Sequence, residues 1–219
     1  MSHKKTTIFD MDGVIVDAEP YHCQAWIEAC QKIGISIDEE FYFSKVCGNH
    51  SLISAQMLLE QFNKECLPDD LVEKKSFYAQ DIISREKLNA FPGILELVKF
   101  FNKKKYRIGL VSSTAYPIID IILNKLKIKD YFSLIHGPER VKQGKPHPEP
   151  YVLAAKILSV EPWDCVIFED SKSGVVSAKR AGAKCIAYLN GHNRKQDLGL
   201  ADYIIDSFFK INQQLIEKL

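Results

Sequence analysis

The chain has 219 residues, 46% of them hydrophobic, which suits one large domain or a domain with a smaller companion and excludes a wholly disordered chain. Its 29 Lys+Arg against 28 Asp+Glu leave a net charge of +1, without the global positive field of a nucleic-acid binder, so no nucleic-acid partner is expected. No apolar run has the length of a membrane span, and the polar, basic start lacks a signal-peptide apolar region, so a cytoplasmic protein with no membrane partner is expected. The six cysteines (Cys23, Cys30, Cys47, Cys66, Cys165 and Cys185) form no CxxC pair, which points to reduced thiols rather than a zinc site.

In chain order, residues 6–10 (TTIFD) form a short apolar run ending in an acid. Such a run suits a strand buried on both faces. Residues 20–88 then show only helical spacing: Tyr21, Ala25, Ala29 and Ile33; Leu52, Ala55, Leu59 and Phe62; Leu71, Phe77, Tyr78, Ile82 and Ile83. They read as an all-helical insert the size of a small domain. Phe91-Pro92-Gly93 closes it and starts a helix over 93–103, with Ile94, Leu95, Val98 and Phe101 on one face. Lys103-Lys104-Lys105 reads as a solvated helix end, where cations suit the dipole.

Further strands are predicted at 106–113, 132–137, 165–170, 184–190 and 202–206. Helices lie between them on the faces Ile118/Ile121/Ile122/Leu126, Tyr151/Ala154/Ala155/Leu158 and Val175/Ala178/Lys179/Gly182. Strand alternating with helix means an α/β fold, a doubly wound parallel sheet with a Rossmann-like core. The small all-helical domain is inserted after the first strand. The expected domains are 1–16 with 91–219 for the core and 17–90 for the insert. Ligands of such sheets bind beyond the carboxyl ends of the strands, where Asp10, Ser112, Glu169 and Asp170 fall.

Four clusters carry chemistry. Asp10-Met11-Asp12-Gly13 places two acids at i and i+2 before a glycine; it reads equally as a turn or as a carboxylate nucleophile followed by an acid/base. Ser112-Ser113-Thr114 offers hydroxyls and backbone N–H groups to phosphate oxygens, or simply caps a helix. Gly144 to Pro150 holds three prolines and presents Lys145 from a stiff loop, able to neutralise a phosphate; His147 reads as loop structure. Glu169-Asp170 ends an apolar strand and suits a hard cation, although Asp170 could also cap the next helix.

Taken together, in this order and spacing, the segments FDMDGVIVDAEPYHCQAW, LVSST, GKPHPEPY and FEDSKSGVVSAKRAGA resemble the haloacid dehalogenase superfamily, in its phosphatase and β-phosphoglucomutase-like branch. The resemblance spans nearly the whole chain. It implies that Asp10 is the nucleophile and Asp12 the general acid and base. The carboxylate at position 12 also disfavours the dehalogenase branch. It implies Mg²⁺ held by Asp10, by Asp12 through its backbone carbonyl and by Asp170, with Glu169 at the metal's edge, and phosphate gripped by Ser112, Ser113 and Lys145. The insert resembles a mobile cap carrying substrate contacts at His22, Trp26 and Lys74. Trp26 reads equally as cap core, and Lys74 equally as a solvated charge.

Two departures bear on activity. The β-phosphoglucomutase pattern has an arginine where this chain has Gly48-Asn49-His50-Ser51, and a threonine where it has Ala18. The resemblance therefore implies a monomeric Mg²⁺-dependent phosphatase of a small phosphorylated metabolite, a sugar phosphate foremost, working through an aspartyl-phosphate. The alternative is a β-phosphoglucomutase-like phosphohexomutase. A non-catalytic binding protein on the same fold is a third reading, disfavoured by the retention of Asp10, Asp12, Lys145 and Asp170 together.

Overall fold

The computed structural model describes residues 5–193 and 196–217. The chain divides into two compact units, one formed by the residues up to Asp17 and from Asn89 onward, the other by Ala18–Leu88. In chain order the elements are β1 (Thr6–Phe9), α1 (Glu19–Gln31), α2 (Glu39–Phe41), α3 (Ser51–Gln61), α4 (Pro68–Arg85), α5 (Ile94–Lys103), β2 (Arg107–Val111), α6 (Tyr116–Lys125), β3 (Leu134–His136), α7 (Glu149–Ile157), β4 (Cys165–Glu169), α8 (Lys172–Arg180), β5 (Lys184–Tyr188), β6 (Tyr203–Ile205) and α9 (Gln213–Glu217).

In the larger unit the six strands form one parallel sheet in the order β3-β2-β1-β4-β5-β6. The chain starts at the centre, moves to one edge, then returns through β4 to the other. The predicted doubly wound α/β fold is the fold observed. Alternation along β1 explains the two layers. Ile8 faces a cluster with Val111, Ile167 and Cys185, covered by Tyr151, Ala154, Ala155 and Leu158 of α7 and by Val175 and Ala178 of α8. Phe9 faces the other way. It stacks on Phe168 at 4.8 Å between ring centroids, with Phe101 of α5 at 6.1 Å. Cys165 and Cys185 are free and buried, and burial pushes the Cys165 thiol up to about 12, so it packs as an inert apolar group. Among the described residues, no helix is long and apolar enough to cross a membrane.

The smaller unit packs α1 against α4 and α3 against α4. Its core gathers Cys23, Trp26, Ala29, Cys30, Tyr42, Ala55, Leu58 and Leu71. Sequence reading missed α2 and the wide turn Tyr42–Val46 that follows it. That segment is too short to show a period. It is fixed by Asp38, whose side chain accepts from Phe41 N at 2.7 Å, and by the buried Tyr42, whose hydroxyl donates to Glu19. Phe77 is not on the inner face expected for it and is 68% exposed. The buried residues of α4 are Leu71, Lys75, Ala79, Ile82 and Ile83, an i, i+4 stripe that Phe77 does not share.

Candidate active site

The strand ends bring together residues far apart in sequence. Asp10 continues β1 by one residue: its N–H donates to Phe168 O at 2.9 Å, and its side chain is buried at the carboxyl edge of the sheet. Lys145 reaches the same point from the proline-rich loop. Its Nζ donates to Asp10 Oδ1 at 2.5 Å, Glu169 Oε1 at 2.6 Å and Val111 O at 3.3 Å, and lies 5.2 Å from the centre of the Tyr151 ring. The loop is tied from both sides. Glu149 accepts from Lys142 N and Gln143 N at 2.9 and 3.0 Å, and Ser177 of α8 donates to His147 O at 2.6 Å. His147, read as loop structure, accepts from Glu149 N through Nδ1.

Glu169 is fully buried, and both its oxygens are in use. Oε1 accepts from Lys145 and from the Tyr151 hydroxyl at 2.6 Å; Oε2 accepts from Asp170 N, Ser171 N and Ser171 Oγ at 3.1 to 3.3 Å. Its carboxylate therefore orients Lys145 and the turn into α8. A β-carbon on Gly174 would overlap that carboxyl. Alanine in a helix normally gains about 1 kcal/mol over glycine. Here Gly174→Ala should instead destabilise, by about 1–3 kcal/mol from overpacking, and thermal melting of the variant checks the sign.

The ligand atoms of Asp10, Glu169 and Asp170 lie within 4.8 Å of one another. Three acids share this point with one lysine. Burial, with repulsion from Glu169 and Asp12, pushes the Asp10 carboxyl up to about 8 against the pull of Lys145. Burial, Asp10 and Glu169 push Asp170 well above the carboxylate range. Glu169, though buried, is held below that range by Lys145 and its hydrogen bonds. Lys145, whose pKa burial alone would lower, is held above its ordinary value by Asp10 and Glu169. Negative charge in excess of its counter-charge, on hard oxygen donors, fits a hard divalent cation such as Mg²⁺.

The Asp12 carboxylate does not belong to this acid group, which leaves its backbone carbonyl as the ligand atom the resemblance implies. It turns instead to Thr114 Oγ1 at 2.7 Å and Ser112 Oγ at 3.5 Å. Ser112 is buried, its N–H donates to His136 O at 3.0 Å, and its hydroxyl accepts from Thr114 N at 3.0 Å. Ser113, one residue on, is exposed.

In the smaller unit, His22 is buried with its Nδ1 3.2 Å from Lys75 Nζ. Lys74, read equally as a substrate contact and as a solvated charge, is exposed, and the helix phase turns its neighbour Lys75 inward. Trp26 belongs to the core of this unit. His50 accepts from Leu52 N and so starts α3, and Ser51 is its first residue.

Sequence reading missed the contact of Thr114 with Asp12 and the roles of Tyr151, Lys75, Asn190 and Asn193. Tyr151 carried a signal, since a tyrosine on a buried helix face needs a partner for its hydroxyl. Asn190 and Asn193 lie just beyond the carboxyl end of β5, on the edge where ligands bind. Asn190 donates to Asp170 Oδ2 at 2.8 Å, and Asn193 to Asp170 O at 2.7 Å.

Residues 7–188 match the family of haloacid dehalogenase-like hydrolases. A phosphorylated carbohydrates phosphatase from Thermotoga maritima is 32% identical over 183 residues, 83% of each chain. A β-phosphoglucomutase from Bacillus subtilis is 29% identical over 219 residues, 98% of this chain and 94% of that one. The crystal structure of CbbY from Rhodobacter sphaeroides in complex with phosphate superimposes with a TM-score of 0.90 at 24% identity, over 99% of this chain and 100% of that one. The family match over residues 7–188, with a relative 32% identical over 83% of both chains, identifies the chain as a member of the haloacid dehalogenase-like hydrolase family.

Proposed function

We propose that the chain is a Mg²⁺-dependent phosphatase of a small phosphorylated metabolite, a sugar phosphate foremost, acting through an aspartyl-phosphate on Asp10. The carrying observation is the buried contact of Lys145 with both Asp10 and Glu169, with Asp170 beside them and the Asp12 carboxylate held by Thr114, just past the neighbouring strand β2. Asp10 and Asp170, with the Asp12 carbonyl, would hold Mg²⁺, which when bound supplies positive charge to the phosphoryl oxygens. An Asp10 oxygen attacks phosphorus and the P–O ester bond breaks. Asp12 gives its proton to the departing alkoxide. Asp12, now a carboxylate, takes a proton from water as that water attacks the aspartyl-phosphate, releasing phosphate and restoring Asp10. Lys145 and Ser112 hold the transferring group, since phosphoryl transfer depends mainly on positioning and charge neutralisation. Ala18–Leu88 serves as the cap, with His22 and the adjoining Lys75 as its candidates for substrate contact.

The second reading is a phosphohexomutase, drawn from the full-length relation to the Bacillus subtilis enzyme. A mutase must retain its intermediate until a second sugar hydroxyl arrives. Gly48 to Ser51 offers no arginine for a distal phosphate, which favours hydrolysis. Glucose 1-phosphate, or a similar ester, should therefore give inorganic phosphate as the main product even with a bisphosphate primer present. Ser51→Arg should move the partition toward transfer. A panel of phosphorylated metabolites, scored for both phosphate and sugar isomer, tests this. Primer-dependent interconversion of glucose 1-phosphate and glucose 6-phosphate with little phosphate released would install the mutase.

A further inference from the structure

We propose that Asn190 is a positioning residue for Asp170, and that the turn Asn190–Asn193 is built to aim its amide. The proposal rests on the phosphoryl-transfer reading above, in which Asp170 is a metal acid. Every hydrogen-bonding site of the Asn190 side chain is used. Oδ1 accepts from His192 N at 3.0 Å and Asn193 N at 3.2 Å. Nδ2 donates to Asp170 Oδ2 at 2.8 Å and to Gly13 O at 3.0 Å. This network fixes which way the amide faces: turned over, its oxygen would oppose a carboxylate and a carbonyl. Gly191, at φ +98°, supplies the left-handed residue the turn needs. Asn193, itself buried, holds the other end of Asp170 by donating to its backbone oxygen and to Tyr188 O, both at 2.7 Å.

The choice of an amide matters. A lysine at this place would neutralise Asp170 and compete with a cation, and a carboxylate would repel it. A neutral N–H fixes one oxygen of Asp170 and leaves its charge, and its second oxygen, for the metal. The same nitrogen grips the carbonyl of Gly13, immediately after Asp12, so one amide sets the spacing between Asp170 and the turn that carries Asp12. Gly13 has no room for a side chain there: a β-carbon would overlap the Asp170 carboxyl and crowd Asn190.

The test is Mg²⁺ binding to the full chain, measured by calorimetry with MgCl₂ and by the rise in melting temperature that Mg²⁺ gives each protein over its own metal-free form. Asn190→Ala and Asn190→Ser should weaken Mg²⁺ binding about 10-fold or more, the loss usual when a ligand's orienting partner is removed. Serine keeps an acceptor for the turn but cannot reach Asp170, so it serves where alanine fails to fold. Among the described residues, His192→Ala removes the contact of that side chain with Asp17 Oδ2, and it should bind Mg²⁺ as the unaltered chain does. With a substrate in hand, the Asn190 variants should need more Mg²⁺ for half activation yet recover kcat when it is saturating. Unchanged Mg²⁺ affinity in the Asn190 variants would overturn the proposal, as would an equal loss in His192→Ala, which would make the effect one of turn integrity. An unaltered chain that binds no Mg²⁺ sinks the metal reading itself, and the proposal with it.

Discussion

Asp10→Asn should lower turnover by about 10⁴-fold or more, because on the proposed mechanism it removes the attacking oxygen itself rather than a group that assists it. The fold should survive. Asn is nearly isosteric, and Lys145 keeps its bond to Glu169. The variant should even gain stability in chelator. With the folded Asp10 carboxyl pushed up to about 8, against about 3.9 for an unfolded one, the metal-free native state binds more protons than the unfolded state between those values. Stability is then lost as pH rises through that window. Asp10→Asn removes this penalty, so in EDTA at pH 7.5 it should melt no lower than the unaltered chain, and the difference should shrink as pH falls toward 4. Added Mg²⁺ should reverse the order by stabilising only the protein that keeps both carboxylates. A variant that melts far lower in EDTA, or an acyl-phosphate trapped on another residue, would contradict the assignment.

The sheet was legible because each strand is a continuous apolar run ended by a polar residue, and the run in β1 hands over directly to Asp10. Lys145 was legible because three prolines isolate it from any helix face. What stayed open in the sequence depended on phase or on tertiary contact. Lys74 and Lys75 are adjacent in a charged stretch, and a shift of one residue, about 100° around the helix, decides which is buried. Residues 39–46 are too short to show a period. Glu169 was legible as an acid at the metal's edge, and it does lie in the group with Asp10 and Asp170, but the hydroxyl of Tyr151 and the N–H groups of Asp170 and Ser171, which occupy its oxygens, are visible only once α7 and α8 are packed. Asn190 ends the strand predicted over 184–190, and Asn193 lies just past it. Their role depends on Asp170, twenty or more residues away, arriving on the adjacent strand.

Asp12→Ala should divide substrates by their leaving groups. The Asp12 carboxylate is held by Thr114 Oγ1 and lies near Ser112 Oγ, outside the group formed by Asp10, Glu169 and Asp170. Removing it leaves the backbone carbonyl of residue 12 in place, so any metal contact made there should survive. An alkoxide departing from a sugar phosphate needs a proton, whereas an aryl oxide of low pKa leaves without one. General-acid help is worth about 10²–10⁴-fold. The quantity to compare is kcat/KM, which covers the steps up to departure of the leaving group and excludes later hydrolysis of the intermediate. For the sugar phosphate it should fall across that range; for an aryl phosphate it should fall far less. Steady-state kcat should suffer on both, because in the proposed mechanism Asp12 is also the base that activates water against the aspartyl-phosphate. The aryl phosphate should then show a burst: about one equivalent of aryl oxide released per enzyme, followed by slow turnover. Equal losses of kcat/KM on the two substrates, with no burst, would take the acid role away from Asp12 and leave its carboxylate a structural partner of Thr114.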